Sequence, residues 1–246
     1  MVPAVPRRGT HTAVSGRGES GPGQTGWVKE LFRFLLPTAV YELLCLMLLF
    51  TRKEYLFFMM AWNVFLGLLP LLFMIAAERV RRRALTALFG ILWLLFLPNA
   101  FYLLTDLIHV PGGMSFREAG TVAYSVDLQA WTKLLVIGLG AVMGTAMGLE
   151  SLHRFRMWVT ARKGTRLSWC GVMAVSLLCG TGIYIGRFLR FNSWDALHIS
   201  RILQRAAETF DVFTLQFIGI FSLGIALLTV FYELLRKDSS VAGEGP

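Results

Sequence analysis

Six stretches of this chain run almost free of charge for the ~20 residues that a helix needs to cross a hydrocarbon core about 30 Å thick. They are Leu31 to Phe50, Tyr55 to Ala77, Ala84 to Leu104, Thr132 to Leu152, Leu167 to Arg187 and Val212 to Leu235. Before the last stretch the order changes: Asn192-Ser193-Trp194-Asp195 is followed by apolar Leu197, Ile202, Leu203, Ala206 and Phe210 at helical spacing. That periodicity predicts a short amphipathic helix in the membrane interface, capped by Asn192 or Ser193, with Arg201 and Arg205 toward headgroups or water. The expected fold is therefore all-α: a polytopic membrane bundle of about six transmembrane helices plus this short external amphipathic helix. Gly140, Gly144 and Gly148, then Gly182 and Gly186, recur at every fourth position, a spacing that lets helix backbones approach closely.

Composition agrees. Hydrophobic residues make up 55% of the 246 and charged ones 16%, with a mean hydropathy of +0.59, against roughly 25% charged in a soluble domain. An ordinary soluble domain is excluded. Met1 to Gly26, rich in Gly, Ser, Thr, Pro and Arg, has no apolar core of the kind a secretory signal requires. It reads as a disordered cytoplasmic tail or as an over-extended translation start. The expected organisation is a tail over 1–26, a six-span domain over 27–237 and a second disordered tail over 238–246. Cys45, Cys170 and Cys179 lie inside apolar segments without metal or disulfide spacing and read as small apolar residues.

The net charge of +9 does not point to nucleic acid, because the basic residues gather between apolar runs. Arg79, Arg81, Arg82 and Arg83 follow the second span. Arg154, Arg156, Arg162, Lys163 and Arg166 follow the fourth, and Arg236 with Lys237 the sixth. By the positive-inside rule these segments are cytoplasmic, so both termini face the cytoplasm of a cell whose plasma membrane the chain crosses. Arg52 and Lys53, in a short turn beside Glu54, run against that rule. The external side receives two longer connections, Thr105 to Trp131 and Phe188 to Asp211.

Two polar motifs stand at the external level. The first, Leu97-Pro98-Asn99-Ala100-Phe101-Tyr102-Leu103-Leu104-Thr105-Asp106-Leu107-Ile108-His109, puts Asn99, Tyr102, Asp106 and His109 on one face if the helix continues past Pro98. The second, Gly186-Arg187-Phe188-Leu189-Arg190-Phe191-Asn192-Ser193-Trp194-Asp195, places Arg187 and Arg190 three apart. Ionisable groups at membrane depth are costly and face a bundle interior or a wet cavity, so Asp106 is expected within reach of Arg187 or Arg190.

The strings LPNAFYLLTDLIHV and GRFLRFNSWD resemble the two signature segments of the membrane-protein family called domain of unknown function 1361. The resemblance covers roughly Leu31 to Leu235. It implies a six-span bacterial membrane protein and carries no assigned activity, cofactor or role for His198.

Both motifs contain Asp-x-x-His. Asp106, His109, Asp195 and His198 together would offer four ligands to zinc, manganese or iron, while the plainer reading makes them hydrated or capping groups, with Asp195 suited to a helix N-terminal turn. Asp127 either joins the external cluster or marks a helix start. Glu42 and Asn63 lie inside the first and second spans, Glu150 pairs with Arg154 at i,i+4, and His11 and His153 have no visible partner set. HExxH, G-x-S-x-G and GxxxxGK[ST] are absent, which argues against zincins, serine hydrolases and P-loop enzymes.

Three functions remain. The simplest is a structural or accessory membrane subunit in which the motifs form a salt-bridge and hydrogen-bond lock. The second is a membrane-embedded enzyme acting on a lipid-linked or anionic envelope substrate. There Asp106 and His109 serve as base or metal ligands, and Asn99, Tyr102, Arg187, Arg190, Asn192, Trp194 and Asp195 line the substrate site. The third is a small-solute transporter with Glu42 and Asn63 deeper on its path. The lipid bilayer is the one partner common to all three; an anionic lipid or envelope precursor belongs to the second.

Overall fold

The computed structural model describes residues 26–112, 114–118 and 121–242. The expected N-terminal tail, apart from Gly26, lies outside the described residues, as do 243–246. Residues up to Leu36 form a unit of their own, described only from Gly26 onward and helical there; the bundle is the unit that begins at Pro37.

Six helices are long and apolar enough to cross a membrane, over Leu31–Arg52, Tyr55–Arg79, Arg83–His109, Leu128–Lys163, Thr165–Leu189 and Val212–Arg236. They belong to α1 (Gly26–Arg52), α2 (Tyr55–Arg79), α3 (Arg83–Tyr102), α4 (Leu128–Lys163), α5 (Thr165–Tyr184) and α7 (Val212–Ala242), with the short α6 (Ile199–Thr209) between the last two. Pro37, Pro70 and Pro98 lie inside helices. Neighbouring helices and local adjustments of the backbone make this tolerable within a membrane. Helix α7 runs through Ala242, into the stretch read as a C-terminal tail.

The fourth span differs from expectation. The basic stretch after Leu152 was expected to be a cytoplasmic connection, yet α4 continues through it for a total of 36 residues, about 54 Å at 1.5 Å per residue. Nothing between Leu152 and Lys163 breaks a helix, since no Gly or Pro intervenes and Arg is a good helix former. Gly164, at φ 86°, reverses the chain within one residue, in a conformation that costs a side-chain-bearing residue dearly. The hydroxyl of Thr160 then meets that of Ser168 across the turn at 2.9 Å.

The connection after α3 also holds structure that the apolar pattern does not reveal. A 3-10 turn over Leu103–His109 continues α3, and an antiparallel hairpin follows, β1 (Ser115–Glu118) with β2 (Thr121–Tyr124), in the register Ser115 opposite Tyr124 through Glu118 opposite Thr121. Asp127 caps α4, its carboxylate accepting the Gln129 N–H at 2.9 Å, which settles it as a helix-start residue.

The core gathers around α3. Trp93, Leu97 and Phe101 pack with Met74 of α2, Leu149 and Leu152 of α4, Val175, Cys179 and Ile183 of α5, and Ile225 of α7. Small residues make this possible. A Cβ at Gly144 would collide with Leu103 and stand 2.7 Å from the Ala100 carbonyl, one at Gly148 would stand 2.8 Å from the Phe101 ring, and one at Gly182 would stand 2.5 Å from Pro98. The glycine spacing is thus a packing device that seats α4 and α5 against α3.

Candidate functional site

Asp106 is the centre of the site. The 3-10 turn that carries it has three residues per turn, so i and i+3 side chains eclipse. The carboxylate, 0% exposed, is turned inward between α2 and α5. Its two oxygens have separate donors. Arg187 approaches Oδ1 at 2.5 Å, and the Asn63 amide donates to Oδ2 at 2.8 Å. Arg187 also donates from Nε to the Thr105 hydroxyl at 2.9 Å, with a second, closer contact from its terminal nitrogen. Its guanidinium lies 4.2 Å over the Tyr102 ring. The Thr105 hydroxyl in turn donates to the Tyr102 carbonyl at 2.6 Å. Charge, hydrogen bonds from Nε and one terminal nitrogen, and cation–π contact thus hold Arg187, which is 15% exposed.

The local backbone explains why Arg187 and not Arg190 takes this place. At Ile185 the α5 helix widens into a π turn through Leu189, and Arg190 follows in the left-handed region at φ 60°. This break ends the face the two arginines would share on a regular helix. Arg187 points to Asp106, and the Arg190 side chain is exposed. Gly186 lets the turn pass close to Tyr102, since a Cβ there would meet the ring at 3.3 Å.

The remaining candidates are distributed around this pair. Asn99 donates to Ser193 Oγ at 2.9 Å and to the Phe96 carbonyl at 3.0 Å, while the Ser193 hydroxyl donates to the Leu95 carbonyl at 3.2 Å. This ties the second motif to α3. Asn192 and Asp195 form a capping box at the start of a 3-10 turn, Asp195 accepting the Asn192 N–H at 2.7 Å. His109 is 36% exposed, with Nδ1 3.2 Å from the Asp106 carbonyl oxygen and 3.9 Å from Oδ1. Trp194 and His198 are exposed. The four-ligand metal arrangement does not form. Among the described residues no three His, Cys, Asp or Glu side chains converge on a metal position, because Asp106 is occupied by Arg187 and Asn63 and Asp195 is spent on its cap.

A second polar network, at the opposite ends of the helices, is largely invisible in the sequence. Buried Glu150 accepts from Arg154 Nε at 3.0 Å, as expected, and also from Tyr232 Oη and Arg236 at 2.6 Å each. Arg154 reaches on to Glu78 at 2.9 Å. Glu233, also buried, accepts Arg156 at 2.7 and 2.6 Å and lies 2.8 Å from His153 Nδ1. His153 therefore has partners on α7, 80 positions away, and α2, α4 and α7 are tied together at this end.

Six helices long and apolar enough to span define a multi-pass integral membrane protein. Over residues 62–230 the chain matches the model of the family described as protein of unknown function (DUF1361), and it belongs to that family. The match starts inside α2, so α1 falls outside it, in contrast to the wider extent read from the motifs. No curated protein and no solved structure matches the chain.

Proposed function

We propose that this protein is a structural or accessory subunit of the plasma membrane, with both termini cytoplasmic and the Asp106 cluster at the external boundary. In this reading Asp106 and Arg187 are a lock that fixes the outer ends of α2, α3 and α5. One observation carries it: each oxygen of a water-shielded carboxylate already accepts a donor from the chain itself. A carboxylate held by a guanidinium and an amide is a poor base and has its best acceptor directions spent on the fold, which favours a structural pair. The orientation rests on Arg79, Arg81, Arg82 and Arg83 with Arg154, Arg156, Arg162, Lys163 and Arg166, all at the ends remote from Asp106.

The discriminating experiment compares Asp106→Asn and His109→Gln in cells lacking the native copy, reading folded yield and envelope integrity together. The lock predicts that integrity follows yield, with His109→Gln close to wild type in both. A well-folded, abundant Asp106→Asn protein that fails to support the envelope would replace the lock with the enzyme reading, acting on a lipid-linked or anionic envelope substrate. Altered solute uptake at normal yield would replace it with transport.

A further inference from the structure

Helix α6 is too short to span a membrane and divides into three faces. Ile202 and Ala206 are half-buried against the protein, whereas Arg201, Gln204, Arg205 and Glu208 are exposed on the polar side. Between these lies an apolar strip that nothing in the chain covers: Ile199 at 63% exposed, Leu203 at 62% and, just past the helix end, Phe210 at 59%. Spacings of four and seven put these three on one side of the helix axis. A soluble surface seldom leaves such a strip bare.

Position in the chain identifies what covers it. Helix α6 begins ten residues after the π turn that ends the fifth span and closes three before α7 starts, so both its ends are held at the level where spans leave the hydrocarbon. Phe188, Val212 and Phe213 on those adjoining spans are exposed as well, as on surfaces that a spanning helix turns to lipid. Trp194, 46% exposed just upstream, is of the residue type enriched at this depth. Arg201 and Arg205 have stems long enough to carry their guanidinium groups to the phosphate plane while the apolar strip sits below it.

We infer that α6 docks on the bilayer surface, with Ile199, Leu203 and Phe210 seated among the upper acyl carbons and Arg201 and Arg205 on phospholipid phosphates. The occupant is phospholipid and not a second copy. The strip runs along a single helix, and its flanking cations suit phosphate. This inference needs the chain to span the membrane but does not need Asp106 and Arg187 to act as a lock.

The test places an environment-sensitive fluorophore at Leu203→Cys, and separately at Gln204→Cys, in the full chain carrying Cys170→Ser, because Cys170 is an exposed free thiol. The protein is reconstituted in vesicles of phosphatidylcholine and phosphatidylglycerol. The Leu203 label should emit to the blue, be quenched by a nitroxide near the top of the acyl chain and resist aqueous iodide; the Gln204 label should show the reverse. Adding Leu203→Glu to an Ile199→Cys label should abolish the lipid quenching. Equal iodide access at both sites overturns the inference. So does a Leu203 label shielded from lipid nitroxide and iodide alike, or one whose protection fades as the protein is diluted in lipid, since either outcome makes the cover a protein.

Discussion

Replacing Asp106 by Ala removes the acceptor that both Arg187 and Asn63 address. Arg187 would keep the Thr105 hydroxyl and the Tyr102 ring, but its charge would be left without a counter-ion at a site where the partner is fully buried. Breaking one side of such a pair costs about 3–5 kcal/mol. Asp106→Asn also removes the counter-charge, but it keeps the side-chain shape and one acceptor oxygen, so it is the milder change. An amide offers one oxygen where the carboxylate offered two, so of the two donors now served at 2.5 and 2.8 Å one is left facing an N–H group. That unsatisfied donor costs about 1–3 kcal/mol. Removing both charges, as Asp106→Ala with Arg187→Leu, should restore much of the loss in Asp106→Ala alone, because no buried charge then lacks a partner. The assay is the loss of monodisperse protein on heating in mild detergent, read by size exclusion for wild type, both single variants and the double variant. The expected order is wild type, then Asp106→Asn, then Asp106→Ala, with the double variant above Asp106→Ala. Stability of Asp106→Ala equal to wild type, or strict additivity in the double variant, would refute the reasoning.

Further expectations follow from geometry elsewhere. Cysteines introduced at Arg82 and Arg162 in the Cys170→Ser protein should react with an impermeant thiol reagent only after cells are opened; labelling of intact cells would invert the proposed orientation. Gly144→Ala, which drives a methyl into Leu103, should cost about 1–3 kcal/mol, whereas Gly138→Ala, with open space around it, should be neutral or slightly stabilising in the same heating assay. Glu150→Gln should destabilise α7 against α4 by roughly 3 kcal/mol, seen as faster proteolysis of the C-terminal helix, because Arg154 and Arg236 lose a shared carboxylate. Asp211 sits before α7 with its carboxyl held below the ordinary carboxylate range, first by the Thr214 N–H and then by the Thr214 hydroxyl. Its contribution is therefore present above the unfolded value and is lost as pH falls through the lower folded one. Protection of the Thr214 amide, its intrinsic exchange rate at each pH over the observed one, should fall across that acid interval in the native protein and show no such transition in Asp211→Asn.

The apolar runs made the six spans legible because a bilayer demands length and hydrophobicity and little else. Asp106 and an arginine partner were legible for a related reason, since each is too costly at that depth to stand alone. The choice of Arg187 over Arg190 was not, because it depends on a π turn and a left-handed residue that no periodicity announces. Asn63 had been noticed inside its span but could not be assigned to Asp106 without knowing how α2 rotates against α3. The hairpin at 115–124 escaped because four-residue strands are shorter than the window in which alternation can be distinguished from chance. The network around Glu150 and Glu233 escaped for a different reason. A cluster of arginines after a span satisfies the orientation rule whether or not it is paired, so the rule itself concealed the carboxylates Glu78 and Glu233 that hold it.

The pairing of Asp106 with a residue 81 positions later sets a timetable for biogenesis. When the ribosome has delivered Asp106, Asn63 is already made and Arg187 is not. At 5–20 residues per second the arginine follows after about 4–16 s, with all of α4 to be inserted in the interval. Through that wait the carboxylate has the Asn63 amide and the partly exposed His109 beside it but no arginine, and must stay near water or be shielded by the insertion machinery. The expected order is therefore a provisional packing of the first three helices that the arrival of the fifth completes. Substitutions at Arg187 should accordingly be felt first by the quality control that surveys nascent membrane proteins, before any finished molecule exists to be unstable.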